Sequence, residues 1–300
     1  MLGLGDEFSY FECSNCGCLQ IGEIPDDMSK YYSGNYHSLI SQRAMMEQEN
    51  RPKKYLRKKR DQYTILGKGH LGRVLQRLRK GTIQLLYKPP KAQITRSSKI
   101  LDVGCGAGDL LYILKNLGFT NILGIDPYIS NDIVDKHLRI FRKTIHDLTD
   151  EEHFDWIIFR HSFEHMSDQL GTLLKAQHLL SEFGTCSIEM PIKSKSIWGR
   201  YGVNWAQIDA PRHFFLHTLS SFELLTQNTN LHLSGLIFNS SEFQFWASEQ
   251  NRRGIPLAAN NSYFVNPRSS IFKTEEIKNY RIMAAELNVQ GRAILRSFIS

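Results

Sequence analysis

The fold of this chain is decided by the stretch Ile100-Leu101-Asp102-Val103-Gly104-Cys105-Gly106-Ala107-Gly108-Asp109-Leu110-Leu111. An apolar segment ends in glycines at three alternate positions, and apolar residues at helical spacing follow at once. This order predicts a strand, a tight loop and a helix. Glycines in such a loop permit positive φ angles and let a ligand approach the main chain. The first amides of the helix can then receive a polar or anionic group of that ligand.

The spacing of the glycines differs from that of a dinucleotide-binding loop. That loop reads GxGxxG, whereas this one reads GxGxG with Asp102 shortly before it. A second apolar segment, residues 121–126, ends in Asp126. It lies roughly twenty residues beyond the loop, where folds of this kind bind ribose hydroxyls. The sequence therefore predicts Asp126 as a ribose-binding acid.

The loop and this acid together resemble the class I S-adenosylmethionine-dependent methyltransferases, through LDVGCG at 101–106 and GIDP at 124–127. The resemblance implies S-adenosylmethionine as cofactor and points to the sugar, polysaccharide and small-molecule tailoring branch with an N-terminal Cys motif. It assigns these residues to the cofactor: Asp102, Gly104, Cys105, Gly106, Gly108, Asp126, Pro127, Asp147, Leu148 and His161. Asp102 would hold the methionine amine, with bracing of the loop as its alternative. Asp147 would accept from the adenine amino group, with a helix cap as its alternative.

Strands and helices alternate from Ser97 onward, which indicates a doubly wound α/β fold with a parallel sheet. The predicted strands span 99–103, 121–126, 138–144, 154–159, 186–190, 231–238 and 293–299. Ser167 is the predicted cap of a helix that Gly184 ends, and Ser220 or Ser221 caps the next. The family resemblance implies a Rossmann-like sheet of seven strands with helices on both faces and an antiparallel last strand.

The composition divides the chain into three parts. Residues 1–40 form a small Cys-containing appendage, and residues 41–96 form a basic helical linker that ends at Lys88-Pro89-Pro90-Lys91. Residues 97–300 form the methyltransferase-like domain, with acceptor-side insertions near 192–218 and 240–270. Insertions of this length are usually functional or disordered, and the aromatic content of the first favours function.

Cys13 and Cys16 form a CxxC pair of the kind found in zinc knuckles. A structural zinc takes four ligands, so Cys18 and a residue such as His37 would have to complete the site. The alternative is a reduced hairpin with buried thiols. The remaining cysteines show no disulfide spacing, and reduced thiols fit best.

The net charge of +7 is concentrated between Arg51 and Lys91. This basic run predicts a surface for an anionic substrate, a nucleotide-linked substrate or a membrane, with a solvated helical face as the alternative. Neither a base-reading motif nor an aromatic series accompanies it, so we expect no nucleic-acid partner. The sequence has no apolar run of membrane-spanning length and no leader pattern, and we expect a cytoplasmic protein.

Polar side chains follow the fourth predicted strand at its carboxyl end, where open α/β sheets bind ligands. Glu164 and His165 resemble the Glu-His pair of many small-molecule methyltransferases. His165 is the better candidate for a general base because imidazole titrates near neutrality, while Glu164 would orient it or bind a metal. A structural role for His165 is the alternative.

His213 is a rival base, in a stretch that resembles a loop of polysaccharide-tailoring methyltransferases. The resemblance makes Trp205, Arg212 and His213 candidates for acceptor binding. Arg212 would suit a carboxylate or phosphate of the acceptor, or it would pin the loop through a salt bridge.

These features predict an EC 2.1.1 type enzyme that moves a methyl group from S-adenosylmethionine to a hydroxyl of a sugar or related polar small molecule, as in polysaccharide biosynthesis. Transfer to carbon is an alternative. So are methylation of a quinone or lipid head group, and a methyltransferase-like binding protein without catalysis. The sequence lacks the GxSxG and HExxH motifs of hydrolases.

Overall fold

A computed structural model of the chain describes residues 5–32, 49–78 and 94–289, together with the backbone of 295–299. The strands in these ranges are β1 (Tyr10–Glu12), β2 (Leu19–Ile21), β3 (Lys99–Val103), β4 (Asn121–Ile125), β5 (Ile133–Asp135), β6 (Leu138–Phe141), β7 (Phe154–Arg160), β8 (Leu180–Met190), β9 (Phe215–Leu216), β10 (Leu233–Phe238) and β11 (Leu295–Ile299). The α-helices span Ser29–Tyr32, Arg51–Leu66, His70–Leu78, Asp109–Asn116, Gln169–Leu179, Lys195–Tyr201, Leu219–Thr226, Phe243–Arg252 and Thr274–Val289.

The main sheet has eight strands in the order β10-β11-β8-β7-β3-β4-β6-β5. The neighbours from β8 to β6 pair in parallel. At one end β11 pairs antiparallel with both β8 and β10, and at the other end β5 pairs antiparallel with β6. The predicted count of seven is therefore wrong by one strand. The additional strand is β5, whose three residues are too few to produce a periodic pattern in the sequence.

The central strands are buried on both faces of the sheet, as their continuous apolar sequence predicts. In β7, Ile157 and Phe159 pack into one core cluster, while Trp156 and Ile158 pack into a second cluster on the opposite face. The second cluster also contains apolar residues of the helix Asp109–Asn116, such as Leu111. Alternate side chains of one strand thus pack against helices on opposite faces of the sheet. Helices on both faces are the mark of a doubly wound fold.

Two predicted helix ends differ from the observed ones. Asp168, rather than Ser167, caps the helix Gln169–Leu179, because its Oδ1 accepts a hydrogen bond of 2.9 Å from the Gly171 amide. β8 follows that helix directly, so Gly184 lies inside a strand instead of ending the helix. A Cβ at Gly184 would lie 2.8 Å from the Phe154 carbonyl oxygen, which explains a glycine there.

The helix Leu219–Thr226 begins at another residue than predicted. Thr218 is its cap, since its hydroxyl accepts a hydrogen bond of 3.0 Å from the Ser221 amide. Ser221 completes the capping box by accepting from the Thr218 amide at 2.9 Å. Thr218, Ser220 and Ser221 are all residue types that cap helices, and the extended backbone at Thr218 makes it the cap.

The N-terminal hairpin belongs to a second, three-stranded sheet with the order β1-β2-β9. Leu19 of β2 pairs with Leu216 of β9. Leu19 also packs in one core cluster with Trp205 and Phe245. Main-chain hydrogen bonds and apolar contacts therefore join residues 5–32 to the segment between β8 and the helix Leu219–Thr226.

The basic segment forms two antiparallel helices in its described part. Asn50 caps the first helix by accepting from the Lys53 amide at 3.1 Å, and Gly67 ends it with a φ of 66°. Gly72 of the second helix packs closely on the first, since a Cβ there would lie 2.3 Å from the Lys59 carbonyl oxygen. The predicted break at 88–91 lies outside the described residues. Within the ranges given above, no helix combines the length and apolar character needed to cross a bilayer.

Candidate functional site

A cavity of about 670 Å³ opens at the carboxyl ends of β3, β4 and β7. Residues at the ends of these strands, Val103, Ile125 and Arg160, form part of its wall. Parallel α/β sheets bind ligands at this edge, and the volume lies within the range of roughly 300–1,000 Å³ typical of small-molecule sites. The sheet therefore places a ligand-sized site directly after the glycine loop.

The three glycines of the loop all have left-handed backbone conformations. The φ angles are 73° at Gly104, 53° at Gly106 and 77° at Gly108. A Cβ at Gly104 would lie 2.4 Å from the Cβ of Ser162, and a Cβ at Gly108 would lie 2.3 Å from Cδ1 of Ile140. Glycine is thus required both by backbone conformation and by space. Gly104 and Gly106 line the cavity.

Asp126 ends β4 and borders the cavity, as predicted for the ribose acid. Its Oδ2 accepts a hydrogen bond of 2.9 Å from the Gly106 amide, and its Oδ1 accepts one of 2.8 Å from the Tyr128 amide. Burial raises the pKa of this carboxyl above its ordinary value. Pro127 also lines the cavity. Asp126 therefore fixes the shape of the loop and presents a carboxylate beside it.

Asp102 and Cys105 are the other titratable groups of the loop, and both line the cavity. Burial raises the pKa of Asp102 to about 7, with the Arg160 guanidinium opposing that shift and the Asp126 carboxylate adding to it. Burial, followed by the charges of Asp102 and Asp126, raises the pKa of the Cys105 thiol well above its ordinary value. A thiol held protonated is a poor nucleophile, so Cys105 is a wall residue.

Asp147 and Leu148 do not reach the cavity. Oδ2 of Asp147 accepts hydrogen bonds from the Thr144 amide at 2.7 Å and from its hydroxyl at 2.8 Å, so Asp147 caps the short 3-10 turn Ile145–Asp147. Leu148 is buried in the core. In the described part of the chain the cavity wall at this point consists of Thr144, Ile145 and His146. Asp147 therefore has the capping role that was the alternative to adenine binding.

Glu164, His165 and His213 lie together, and His165 forms part of the cavity wall. One ligand-type atom of each side chain lies within 4.8 Å of the corresponding atoms of the other two. The rings of His165 and His213 meet edge to face with their centroids 4.8 Å apart. We refer to these three residues as the Glu-His-His cluster. The sequence predicts all three as candidate catalytic groups.

Hydrogen bonds determine the tautomers of both cluster histidines. Nδ1 of His165 lies 2.7 Å from the carbonyl oxygen of Arg212, and Nδ1 of His213 lies 2.7 Å from that of Gln207. A carbonyl oxygen only accepts, so each Nδ1 carries a proton and each neutral ring has its lone pair on Nε2. Burial, followed by the nearby His213, lowers the pKa of His165 to about 4. His165 is therefore a neutral imidazole at physiological pH.

Glu164 is almost completely enclosed, with 1% of its surface exposed. Burial alone would raise the pKa of its carboxyl, but His161, His213 and His165 hold that pKa well below the ordinary value. His161 has a φ of 51°, and its Nδ1 lies 3.5 Å from Oε1 of Glu164. His161 also lines the cavity, where it was predicted to contact the donor.

Among the described residues, Trp205 and Arg212 do not belong to the cavity wall. Trp205 is 2% exposed and packs in the core. Arg212 is buried and forms a double ion pair with Asp209, including a bond of 2.9 Å from Nε to Oδ2. The alternative for Arg212, a salt bridge that pins the loop, is thus realised. The loop contributes to the site through its main chain and through His213.

A family model described as a methyltransferase domain matches residues 70–234, which is more than half of the chain. The chain belongs to this methyltransferase-domain family. The activity of the family is methyl transfer, in agreement with the α/β sheet and the glycine loop. No curated protein matches the methyltransferase chain in sequence.

Solved structures that resemble this methyltransferase include two cyclopropane synthases. One is a mycolic acid cyclopropane synthase solved with SAH and CTAB, with 16% identity, a TM-score of 0.47, and coverage of 75% of this chain and 84% of that one. The other, from Mycobacterium tuberculosis, has 15% identity, a TM-score of 0.44, and coverage of 70% and 79%. Both are distant, and the family membership rests on the sequence match.

Tyr32 is a site residue of the methyltransferase to which the sequence analysis assigns no role. It lines the cavity, and its ring stacks on Tyr128 with centroids 4.2 Å apart and planes 16° apart. Its hydroxyl oxygen lies 3.1 Å from Nδ1 of His165. Tyr32 is separated from the glycine loop by some seventy residues, so no local spacing signals it. Pairing of β2 with β9 brings it there.

The CxxC pair of the methyltransferase lies in the turn between β1 and β2. The Gly17 amide donates to the Cys13 carbonyl at 2.8 Å, and the buried Cys18 has its Sγ 3.9 Å from Nδ1 of His217. Among the described residues, no group of three metal-ligating side chains forms around Cys13 and Cys16. His37 lies outside the described residues. The side chains of the described residues do not supply the four ligands of a structural zinc site.

Proposed function

We propose that this chain transfers a methyl group from S-adenosylmethionine to a hydroxyl of a sugar or related polar small molecule. The observation that carries the proposal is the cavity that joins the glycine loop to His165 of the Glu-His-His cluster. One end of it offers buried carboxylates for a donor. The other end offers a neutral imidazole for an acceptor.

The residues at the first end suit the chemical groups of S-adenosylmethionine. Asp102 provides a carboxylate for a cationic amine, and Asp126 provides acceptor oxygens for ribose hydroxyls. Pro127 and the exposed face of Tyr128 offer flat surfaces for an adenine ring. Gly104 and Gly106 leave the main chain open to close approach. When bound, the donor supplies a methyl group on a sulfonium, whose departure as a neutral thioether needs no acid catalyst.

His165 is the general base of the proposed reaction. Its Nε2 holds a lone pair because Nδ1 donates to the Arg212 carbonyl, and its lowered pKa keeps that lone pair free at pH 7. It would accept the proton of the acceptor hydroxyl, and the carboxylate of Glu164 would stabilise the imidazolium that results. His213 is the rival for this role. Alignment of acceptor and donor in one cavity accounts for much of the rate.

Calorimetry with S-adenosylhomocysteine tests the donor site. We expect the folded chain to bind one equivalent, and Asp126→Asn to weaken that binding, because the ribose hydroxyls lose their charged acceptor. Asp150→Asn is a matched control, since Asp150 is exposed and forms ion pairs with Lys175 and His178. A folded wild-type chain that binds no S-adenosylhomocysteine would disprove the proposal.

Product mass spectrometry tests the acceptor. Metabolites of a host with and without the chain are compared, and the methylated product identifies the substrate and the methylated atom. We then expect His165→Gln to lower kcat by roughly 10²–10⁴-fold while S-adenosylhomocysteine still binds. Donor binding with no turnover of any acceptor in the wild type would instead favour the binding protein without catalysis.

One observation favours a lipid or quinone head group as a second candidate acceptor. The helix His70–Leu78 exposes Leu71, Val74 and Leu78, which are 43%, 52% and 79% accessible, beside Arg73 and Arg77. An apolar stripe flanked by cations suits an anionic membrane surface. Sedimentation with anionic and neutral vesicles distinguishes this candidate, since only the anionic vesicles should carry the chain down.

A further inference from the structure

We propose that Glu164, His165 and His213 bind one divalent transition-metal ion at the acceptor end of the cavity. The role of the ion in activating an acceptor rests on the proposed function. Binding of the ion itself is a separate property and has its own test.

The ligand set and its spacing suit such an ion. Two imidazoles and one carboxylate offer atoms that lie within 4.8 Å of one another. Bonds of about 2.0–2.2 Å at tetrahedral angles place the ligands of one ion about 3.3–3.6 Å apart, so side-chain shifts of roughly 1 Å would close the site. The three side chains come from two segments, the 3-10 turn Phe163–His165 and the loop before β9.

The carboxylate of Glu164 is the second observation. Both of its oxygens are buried, and neither accepts a hydrogen bond from any residue that the structure describes. The imidazole nitrogens nearest to Oε1 are Nδ1 of His161 at 3.5 Å and Nε2 of His213 at 3.9 Å. A buried carboxylate without hydrogen bonds is costly, and each such group in a protein calls for an explanation such as a bound ion. A cation between Glu164 and the two rings would satisfy it.

The surroundings hold both rings in the orientation that a metal needs. Each Nδ1 donates to a main-chain carbonyl at 2.7 Å, so each Nε2 is left as a ligand atom. Metal-binding histidines typically have such a hydrogen bond on their second nitrogen. The loop that carries His213 is itself fixed, because the Phe214 amide donates to the Glu164 carbonyl at 2.8 Å. The ligands are therefore organised before any ion binds.

Imidazole and carboxylate ligands together select first-row divalent ions such as Zn²⁺, Fe²⁺, Mn²⁺ or Co²⁺. Three protein ligands leave coordination positions open, and an acceptor hydroxyl can occupy one of them. The ion would then lower the pKa of that hydroxyl, whose proton passes to water. A metal-bound Nε2 is no longer a free base. Metal activation and base catalysis by His165 are thus alternatives within the same reaction.

A titration with Co²⁺ alone tests metal binding. The full chain carries Cys13→Ser and Cys16→Ser, which removes the thiols of the CxxC pair as competing ligands, and is stripped of metal with a chelator. Visible absorption and elemental analysis then report the ion. We expect one equivalent of Co²⁺ with the absorption of an N/O site and without a thiolate charge-transfer band.

Variants of the ligands complete the test. Glu164→Gln keeps the size of the side chain and removes its charge, and His213→Gln removes a ligand from the other segment. Each should weaken Co²⁺ binding by at least about a hundredfold, since even outer-shell changes cost about 10–100-fold. His153→Gln is the control, because His153 is exposed and lies outside the cluster. Thermal unfolding confirms that each variant is folded.

The proposal is overturned if the folded chain takes up no Co²⁺, or if both cluster variants bind it as tightly as the control does. Calorimetry with S-adenosylhomocysteine on the same samples separates this result from the donor site. A wild-type chain that binds S-adenosylhomocysteine but no Co²⁺ would contradict only the metal site. Loss of donor binding with intact Co²⁺ binding concerns only the proposed function.

Discussion

At the scale of single residues, burial determines the protonation of the cavity side chains more than the residue type does. Asp102 and Asp147 are both acids predicted to contact the donor, yet the first is buried in β3 and the second is exposed at a turn. Burial raises the pKa of Asp102, whereas hydrogen bonds from Thr144 lower that of Asp147. Only Asp102 borders the cavity, so its protonation state affects a ligand there.

Donor binding should depend on pH through Asp102. Its folded pKa of about 7 is above its ordinary value, so the carboxyl is protonated below pH 7 and cannot pair with a cationic amine. From pH 8 to pH 6 we expect the affinity for S-adenosylhomocysteine to fall by about five- to tenfold, as the ionised fraction falls. Calorimetry across this range measures the slope. Asp102→Asn should bind weakly at every pH, and an undiminished slope in that variant would assign the titration to another group.

Gly104→Ala should destabilise the chain and abolish donor binding. The backbone has a φ of 73°, and the new methyl group would meet Ser162, whose hydroxyl donates to the Val103 carbonyl at 2.6 Å and so holds that side chain in place. We expect a loss of about 1–3 kcal/mol in the free energy of unfolding, measured in urea. Gly199→Ala is the matched control, since no atom lies within 4 Å of a Cβ in that helix. Equal losses in both variants would contradict this account.

At the scale of elements, sequence reasoning succeeds where a pattern is local. The apolar run of β7 and the glycines after β3 carry their own signals, because burial on both faces and positive φ leave few residue choices. β5 is not predicted because three residues are too few to show the alternation of apolar and polar residues that indicates a strand. The caps Asp168 and Thr218 are not predicted because Ser167 and Ser220, one and two residues away, are equally good capping residues.

The site divides in the same way. The family resemblance predicts Glu164, His165 and His213, and the position of Glu164 and His165 after a strand end supports the first two. Tyr32 enters the cavity only through the pairing of β2 with β9, which no spacing encodes. The role of Arg212 depends on whether Asp209 lies within reach, and only the folded loop decides this.

Arg212→Gln should destabilise the loop before β9. It removes the cation from a buried ion pair and leaves the Asp209 carboxylate enclosed, so we expect a loss of about 3–5 kcal/mol in urea unfolding. Lys278→Gln breaks an exposed pair with Glu275 and should change stability by no more than the measurement error. If Arg212→Gln raised the acceptor KM with unchanged stability, Arg212 would be an acceptor ligand instead.

At the scale of the whole molecule, the small sheet links the N-terminal hairpin to the segment after β8. The segment after β8 supplies β9 to the small sheet and His213 to the cluster, while Leu19 of the hairpin packs with Trp205 and Phe245. The N-terminal residues therefore pack against the segment that carries His213, and they place Tyr32 in the cavity wall.

Leu19→Ala should lower the stability of the whole molecule. Leu19 is 3% exposed, and removal of a buried leucine side chain costs about 2–5 kcal/mol. Calorimetric unfolding should show one transition at a lower temperature. Phe11→Ala, also in the hairpin, is the control, because Phe11 is 50% exposed and should leave the transition in place. A separate early transition in Leu19→Ala would show that the hairpin unfolds independently.

The two-residue strand β9 has a consequence for engineering. It joins the hairpin to the loop that carries His213. The residues of the two regions therefore have to match each other. A chimera that exchanges only the loop with a relative would pair foreign residues against the native β2. An exchange of residues 5–32 together with 191–217 would keep β2 and β9 matched to each other and leave the glycine loop untouched.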